Sequence, residues 1–250
     1  MKKQEVGHTF LARIGKKRLR PGGKKATDWL IDQASFSAET KVLEVACNMG
    51  TTMIDLVKRY NCHVTGVDLD RHVLDKAKIN ITEERLDDKI TLVQANAIKL
   101  PFPDESFDVV INEAMLTMLP AKVKEKAVKE YFRVLKKGGK LLTHDVMLVK
   151  AEEAVVSQLR EAIHVNVQPL TQEDWQEAFA QQFQHTTIIS GPMTLLSPVG
   201  MMKDEGVIGT IKIVKNAMKR SNRQMFWKMF HLFRSKKDVL HFIAVCSEKS

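Results

Sequence analysis

The chain is poor in cysteine, lacks a long apolar run and carries no acidic residue between positions 212 and 237. Its three cysteines, Cys47, Cys62 and Cys246, lie far apart without Cys-x-x-Cys spacing, which disfavours both a metal site and a disulfide framework. No segment approaches the roughly 18 apolar residues of a membrane span, and the first residues are too basic for a signal peptide. These absences predict a cytoplasmic protein without a bound metal.

Basic residues concentrate in two flanking segments. Residues 1–25 hold nine Lys/Arg against one acid, Glu5, and residues 212–237 hold nine Lys/Arg. The body between them, residues 26–211, holds 20 basic and 27 acidic residues. Basic segments of this kind meet anionic substrates, nucleic acid or a membrane surface, or they simply keep a face solvated.

Short apolar runs alternate with helical patterns over the first 150 residues. Runs of strand length are followed by segments with helical spacing, which predicts a parallel sheet with right-handed crossovers. The predicted strands cover residues 41–46, 63–68, 90–94, 107–112 and 140–147, with helices over 51–60, 71–86 and 121–137. The third helix is expected to stop at Gly138-Gly139.

The pattern weakens after residue 150. Helices are predicted over residues 151–162 and, behind a capping box at Thr171–Asp174, as far as Ala180. Residues 186–189 and 241–247 have strand character. The segment of about 192–238 between them is predicted as a helical insertion within a single domain that covers residues 1–250.

A turn of small residues follows the first strand, in VLEVACNMGTT (42–52). Ligands of doubly wound sheets lie at the carboxyl ends of the strands, where such turns let them approach the backbone and a helix N-terminus. Asp68 ends the second strand, 18 residues beyond Gly50, which is where an acid binds a ribose diol in nucleotide-binding units. The alternative is an Asp that caps the next helix, but Asp70 is better placed for that.

Two later segments identify the nucleotide. The sequence QANAIKLPFPDESFDVVINEAML (94–116), followed by YFRVLKKGGKLL (131–142), strongly resembles class I S-adenosylmethionine-dependent methyltransferases. The likeness is closest to the small-molecule branch related to the ubiquinone/menaquinone-biosynthesis and sterol enzymes, and covers residues 22–150 well. It implies an α/β fold with a Rossmann-like seven-stranded, mostly parallel sheet, helices on both faces and an antiparallel last strand.

The resemblance implies S-adenosylmethionine as cofactor and S-adenosylhomocysteine as product. It assigns ten residues to the cofactor: Glu44, Ala46, Cys47, Asn48, Gly50, Asp68, Leu69, Asn96, Ala97 and Asn112. Glu44 would lie beside the methionine end, Asp68 would hold the ribose hydroxyls and Leu69 would pack on the adenine. Asn96 replaces the usual Asp, and its carbonyl can still accept from the adenine amine.

The loop departs from the family pattern, which is typically Glu/Asp-x-Gly-Cys-Gly-x-Gly. Ala46 and Asn48 stand in place of two glycines. Asn takes the left-handed conformation better than most residues, so the cofactor is still expected in this loop.

Candidates for a general base stand at the ends of the fourth and fifth strands. Asn112 and Glu113 would line the reaction centre, and His144 and Asp145 lie late in the fifth strand. His144 and Glu113 are the predicted catalytic residues, since imidazole titrates in a suitable range. Two alternatives stay open: His144 can be a polar strand-end residue with one satisfied hydrogen bond, and Glu113 can touch only the cofactor.

Missing motifs narrow the acceptor. Asn112–Met115 is not the Asn/Asp-Pro-Pro-aromatic sequence of adenine-directed enzymes, and no Pro-Cys pair offers the nucleophile of cytosine-C5 enzymes. These absences disfavour DNA and favour a small molecule. RNA-directed methylation through the basic flanks and a non-catalytic cofactor-binding protein stay open as alternatives. A nicotinamide oxidoreductase is disfavoured because no hydride-transfer site is evident.

A stretch rich in Met and aromatic residues indicates the shape of the acceptor. Apolar residues recur on one broad helical face within 218–233: Met218, Met225, Phe226, Met229, Phe230 and Phe233. A lid over a partly apolar substrate, simple packing against the sheet and contact with a membrane surface are the three interpretations. The basic segment 8–23 resembles the region that closes over the cofactor in relatives, with Arg20–Gly23 as its hinge. The oligomeric state is not predicted.

Overall fold

The computed structural model describes residues 5–250, so the first four residues of the basic N-terminal segment lie outside the described part. One sheet organises the chain, in the order β3-β2-β1-β4-β5-β8-β7, with β6 paired to β5. Its strands are β1 (Lys41–Val45), β2 (His63–Asp68), β3 (Ile90–Gln94), β4 (Phe107–Glu113), β5 (Leu135–Leu148), β6 (Leu170–Thr171), β7 (His185–Pro192) and β8 (Leu240–Glu248).

The direction of the strands confirms the predicted fold class. Strands β1 to β5 pair in parallel, whereas β8 runs antiparallel to both β5 and β7. The two-residue β6 is an addition to the seven predicted strands. The reversal of strand order between β1 and β4 opens the crevice in which doubly wound sheets bind their ligands.

Helices cover both faces of the sheet. They are α1 (Gly7–Ile14), α2 (Gly23–Asp32), α3 (Thr51–Tyr60), α4 (Arg71–Glu83), α5 (Ala121–Val134), α6 (Glu153–Ile163), α7 (Gln172–Ala180), α8 (Pro198–Ala217) and α9 (Arg223–Ser235), with a short 3-10 helix at Leu116–Met118. Successive residues of β1 point to opposite faces: Val42 packs with α2, α3 and α4, while Leu43 packs with α5 and α7.

The helix expected over 121–137 is shorter than predicted, because α5 ends at Val134 and β5 begins at once with Leu135. Gly138 and Gly139 therefore do not stop a helix. Gly138 has a φ of 73° and lies where the register between β4 and β5 shifts, from Phe107 opposite Leu135 to Val109 opposite Lys140. A glycine pair suits a bulge as well as a helix end, and the sequence does not distinguish them.

Four helices form a second layer beyond the carboxyl end of β5. This covering layer consists of α1, α6, α8 and α9, and its buried side chains, among them Phe10, Leu159, Ile213 and Met229, form one apolar cluster. Of the predicted apolar face in 218–233, Phe226, Met229 and Phe233 are buried in this cluster, Met225 and Phe230 pack against its edge, and Met218 is exposed. The predicted 192–238 insertion therefore packs as part of the covering layer.

None of the helices in the described range is both long and apolar enough to cross a bilayer. The three cysteines are free and buried.

Candidate active site

The loop after β1 adopts a backbone that normally requires glycine. Ala46, Asn48 and Gly50 all have positive φ, at 60°, 49° and 81°. The two positions at which the sequence departs from the family glycines therefore keep the left-handed geometry, at a cost of roughly 1–2 kcal/mol each. The loop is tied to its surroundings by the Cys47 N–H, which donates to the Val67 carbonyl, and by the Asn80 side chain, which donates to the Met49 carbonyl.

Asp68 joins this loop to the end of β2. One carboxylate oxygen accepts from the Asn48 N–H at 3.1 Å and the other from the Asp70 N–H at 3.0 Å. Asp70 in turn caps α4 through the His72 N–H, as predicted. Asp68 therefore has a fixed orientation at the carboxyl edge of the sheet, where the residue is half-buried.

The residues expected around the adenine lie at the ends of β2 and β3, which are neighbours in the sheet. Leu69 is 66% exposed although it is apolar, so it offers an uncovered surface beside Asp68. Asn96 is exposed and its side-chain oxygen accepts from the Ile98 N–H at 3.2 Å. Ala97 is partly buried next to it.

Two buried acceptors at this edge have no partner among the described residues. Glu44 Oε2 and Asn112 Oδ1 are both buried and unbonded, although the Asn112 amide nitrogen donates to the Val45 carbonyl at 3.3 Å. The two residues lie on adjacent strands, since Val45 pairs with Asn112. An unbonded acceptor in the interior is costly, so this pair marks a place where a donor is missing.

Glu113, at the end of β4, is the hub of a buried network. Arg20 Nε lies 2.8 Å from one carboxylate oxygen, and Thr52 donates to the same oxygen at 2.9 Å. Thr27 donates to the other oxygen at 2.7 Å. Arg20 also donates to both threonine hydroxyls. Both carboxylate oxygens thus accept from donors on α2, on α3 or in the segment before α2.

His144 completes the network, and its tautomer follows from its contacts. The Gly22 N–H donates to Nε2 at 2.9 Å, so Nε2 carries the lone pair. Nδ1 faces Glu113 at 3.3 Å and the Thr27 hydroxyl at 3.4 Å. The ring is fully buried, and both of its nitrogens are engaged within the protein. This is the environment of a residue that positions Glu113 and the chain at Gly22.

The two acidic side chains of the site titrate in opposite directions. Burial, reinforced by nearby Glu113 and opposed by Arg20, raises the pKa of Glu44 to about 8. Burial acts in the same direction on Glu113, but Arg20 and the hydrogen bonds from His144 and Thr27 outweigh it and hold the pKa of Glu113 at about 2. Glu44 is therefore largely protonated at neutral pH, and Glu113 is ionised.

A mainly apolar cavity lies next to the network. It is enclosed by α1, α6, α9 and the ends of β4 and β5, and contains about 630 Å³ free of protein atoms, part of which is open to solvent. Its lining includes Ala114, directly after Glu113, and Asp145, directly after His144. Pockets for small organic ligands share this apolar character.

The polar lining of the cavity is sparse. Asp145 is fully buried and accepts from the N–H groups of Thr117 and Val146; burial raises its pKa. His8, on α1, presents a buried Nδ1 that has no partner among residues 5–250. Burial lowers the pKa of His8, and the charge of Asp68 opposes that shift. His8 is thus close enough to Asp68 to feel its charge while it lines the cavity.

Sequence reasoning placed the first four strand ends correctly together but missed Arg20, Thr27, Thr52 and His8 as members of the site. Arg20 and His8 stood only inside a segment expected to cover the cofactor. The contacts of this site join positions far apart in the chain, such as Gly22 and His144, which are 122 residues apart. Across the described residues, His, Cys, Asp and Glu form no group of three that could hold a metal ion.

Comparison with known proteins identifies the family. A family model described as a methyltransferase domain matches residues 42–139. The chain is 59% identical over 251 residues to an uncharacterized protein of Haemophilus influenzae, with 100% of both chains covered. It is 33% identical over 112 residues to the demethylmenaquinone methyltransferase of Lactiplantibacillus plantarum, covering 44% of this chain and 46% of that enzyme.

The fold has solved counterparts. The geranyl diphosphate C-methyltransferase from Streptomyces coelicolor, solved with Mg²⁺, geranyl diphosphate and S-adenosyl-L-homocysteine, superposes with a TM-score of 0.68. The sequence identity is 17%, and the match covers 90% of this chain and 80% of that one. This likeness shows a shared architecture.

Residues 42–139 match the methyltransferase domain, and this match and the relatives support a class I S-adenosylmethionine-dependent methyltransferase. Within that class it is related to the enzymes of quinone biosynthesis, and its cofactor is S-adenosylmethionine. The chain spans about half the length of several curated methyltransferases that it matches.

The chemistry of the site fits this cofactor. The unbonded oxygens of Glu44 and Asn112 suit the ammonium group at its amino-acid end. The oriented carboxylate of Asp68 suits a ribose diol, and the exposed Leu69 suits a flat apolar base. The loop between them has the left-handed geometry with which glycine-rich turns let a ligand approach the backbone.

Proposed function

We propose that the protein methylates a small, mostly apolar molecule bound in the cavity beside Glu113. The observation that carries this proposal is the position of the cavity, whose wall begins at Ala114 and Asp145. These are the residues next to Glu113 and His144, at the edge of the sheet where the cofactor is expected. The apolar lining selects the class of acceptor.

In this proposal ten residues hold the cofactor: Glu44, Ala46, Cys47, Asn48, Gly50, Asp68, Leu69, Asn96, Ala97 and Asn112. The bound cofactor supplies a methyl group on a sulfonium centre. The chain positions the two reactants, because holding a nucleophile in line with that methyl group provides much of the rate acceleration. Residues of α1 and α9 line the cavity and shield part of it from water.

A proton must leave if the acceptor is a hydroxyl, an amine or a carbon acid, because the acceptor atom exchanges hydrogen for methyl. His8 is the candidate to take it, since its Nδ1 is unbonded, lines the cavity and carries a lowered pKa. His144, predicted as a base, has both nitrogens engaged, so we assign it to positioning Glu113 and Gly22. Glu113 keeps its charge and holds Arg20 in place.

Radiolabelled cofactor tests the proposal directly. The purified protein is incubated with S-adenosylmethionine that carries a labelled methyl group, together with either an organic-solvent extract or total RNA from the encoding organism. We expect label in the organic-soluble fraction. Label in RNA alone, lost at raised salt, would establish the alternative of an RNA-directed enzyme. If calorimetry detects no binding of S-adenosylmethionine, the proposal that the protein is a methyltransferase is wrong.

A cavity-filling variant separates the acceptor site from the cofactor site. Leu195→Trp places a larger apolar side chain at the cavity wall, where Leu195 is 9% exposed. We expect transfer to fall at least tenfold while cofactor affinity stays unchanged, because the substitution removes acceptor volume only. Equal transfer by the variant would place the acceptor elsewhere.

A further inference from the structure

The second half of α8 carries an apolar face that no residue of the described range 5–250 covers. Gly206, with φ 71° and ψ 174°, breaks α8 into two helical segments. In the second segment Ile213 and Ala217 point inward and join the apolar cluster of the covering layer. The helix is therefore already packed against the protein through this inward face.

The outward face of the same segment is apolar as well. It carries Val207, Ile208, Ile211, Val214 and Met218, which recur at helical spacing, and Ile208 is 86% exposed. A helix that is apolar all round is normally buried all round, and an exposed stripe of this kind marks an interaction surface. We call these five residues the α8 stripe.

Positive charge surrounds the α8 stripe. From residue 206 to residue 237 the chain holds nine Lys/Arg and no acid. The five basic residues between positions 212 and 223 are all exposed and form no ion pair within the described range: Lys212, Lys215, Lys219, Arg220 and Arg223. The nearest preceding acids, Asp204 and Glu205, are already paired with Lys16.

We propose that the α8 stripe and its flanking lysines dock the protein on the surface of an anionic lipid bilayer. Aliphatic side chains beside lysines match the boundary between acyl chains and anionic headgroups. A second copy of this chain would place the same five basic residues face to face, which opposes association. Single-stranded RNA is bound largely by aromatic stacking, and the α8 stripe is aliphatic.

The docking surface and the cavity share one structural unit. Ile213 on the inner side of α8 packs in the same cluster as Leu11 and Met229, which line the cavity. An apolar acceptor partitions into a bilayer, so docking through α8 would place the cavity close to its supply. That consequence rests on the proposed function, whereas docking itself does not.

Vesicle co-sedimentation tests the docking. The full chain is mixed with vesicles of phosphatidylcholine alone or of phosphatidylcholine with phosphatidylglycerol. We expect strong binding to the anionic vesicles only, and a loss of at least tenfold for the double variant Ile208→Asn/Ile211→Asn. Lys212→Gln/Lys215→Gln should weaken binding about fivefold for each lysine. Ile79→Asn, at an isoleucine of α4 that is 58% exposed, is the matched control and should bind like the parent protein.

Three outcomes would overturn the inference. Equal binding by the isoleucine variant, or no binding to either vesicle, would remove the bilayer as partner. A dimer in light scattering that dissociates in Ile208→Asn/Ile211→Asn would assign the α8 stripe to a second copy. Because vesicle binding needs no acceptor, failure of docking and failure of the proposed methyl transfer are read out separately.

Discussion

Glu44 and Glu113 lie on neighbouring strands and on the same face of the sheet, yet their pKa values are about 8 and about 2. Glu44 pairs with Ile111, so Glu113 stands two residues further along β4. The difference arises because Arg20 binds Glu113 at 2.8 Å and is assisted by His144 and Thr27, whereas one Glu44 oxygen has no partner among the described residues. The site therefore holds one proton that a cationic ligand can displace.

Cofactor binding is expected to release that proton. An ammonium group beside Glu44 favours the carboxylate, so binding at pH 7 should release close to one proton. Calorimetry in buffers of different ionisation enthalpy measures this number. Glu44→Gln should bind with no buffer-dependent release and with lower affinity. A release near one proton in Glu44→Gln would assign the proton to another group.

The Glu44 carboxyl also makes the stability of the ligand-free protein depend on pH. Its folded pKa is raised above its ordinary value of 4.5, so its contribution to the free energy of unfolding is complete below pH 4.5. The contribution falls as pH rises towards 8, because the unfolded chain loses this proton first. We expect Glu44→Gln to flatten the decline in stability between these values, measured by urea unfolding. An unchanged slope would contradict the raised pKa.

Asp68 and Asp70 form a matched pair that separates ligand binding from helix capping. Asp68→Ala should lower cofactor affinity at least tenfold, as expected for the loss of a charge-assisted hydrogen-bond pair. Asp70→Ala should cost about 1 kcal/mol of stability through the lost cap and leave affinity unchanged. Calorimetry and thermal unfolding of both variants check this. Unchanged affinity in Asp68→Ala would remove Asp68 from the ribose.

The sheet and the strand-end residues could be predicted because they depend on local patterns. Alternating apolar runs marked β1 to β5, and parallel strands bring their carboxyl ends to one edge whatever lies between them. The turn at Ala46–Gly50 and the acid at Asp68 follow from that rule. The prediction that the glycines at 138–139 end a helix was wrong, because a bulge and a helix end favour the same residue.

The partners of Glu113 could not be predicted because they depend on tertiary packing. Arg20 reaches Glu113 only because the segment before α2 crosses the carboxyl edge of the sheet, and no periodicity reports such a crossing. The position of His8 also depends on tertiary packing, since α1 packs within the covering layer. From sequence alone, a buried Arg or His within a basic segment cannot be distinguished from one that faces solvent.

The ion pair of Arg20 and Glu113 is expected to stabilise the attachment of the N-terminal segment. Both side chains are buried, so Arg20→Met leaves an unpaired carboxylate and should cost about 3–5 kcal/mol. The double variant Arg20→Met/Glu113→Leu removes both charges and should recover part of this loss. Chemical unfolding of these two variants and of the single variant Glu113→Leu completes the double-mutant cycle. A double variant as unstable as Arg20→Met would show that the attachment depends on geometry instead of charge.

His8 is expected to determine the acid limb of the pH–rate profile. Burial lowers the pKa of its imidazole, so the base form persists below the usual value of about 6.5. The profile of kcat/KM should therefore stay flat to below that pH before it falls. His8→Gln should lower kcat about 100-fold or more, remove this limb and leave cofactor affinity within twofold, roughly the range for one general base. A His8→Gln enzyme with the parent profile would show that the acceptor loses no proton to this ring.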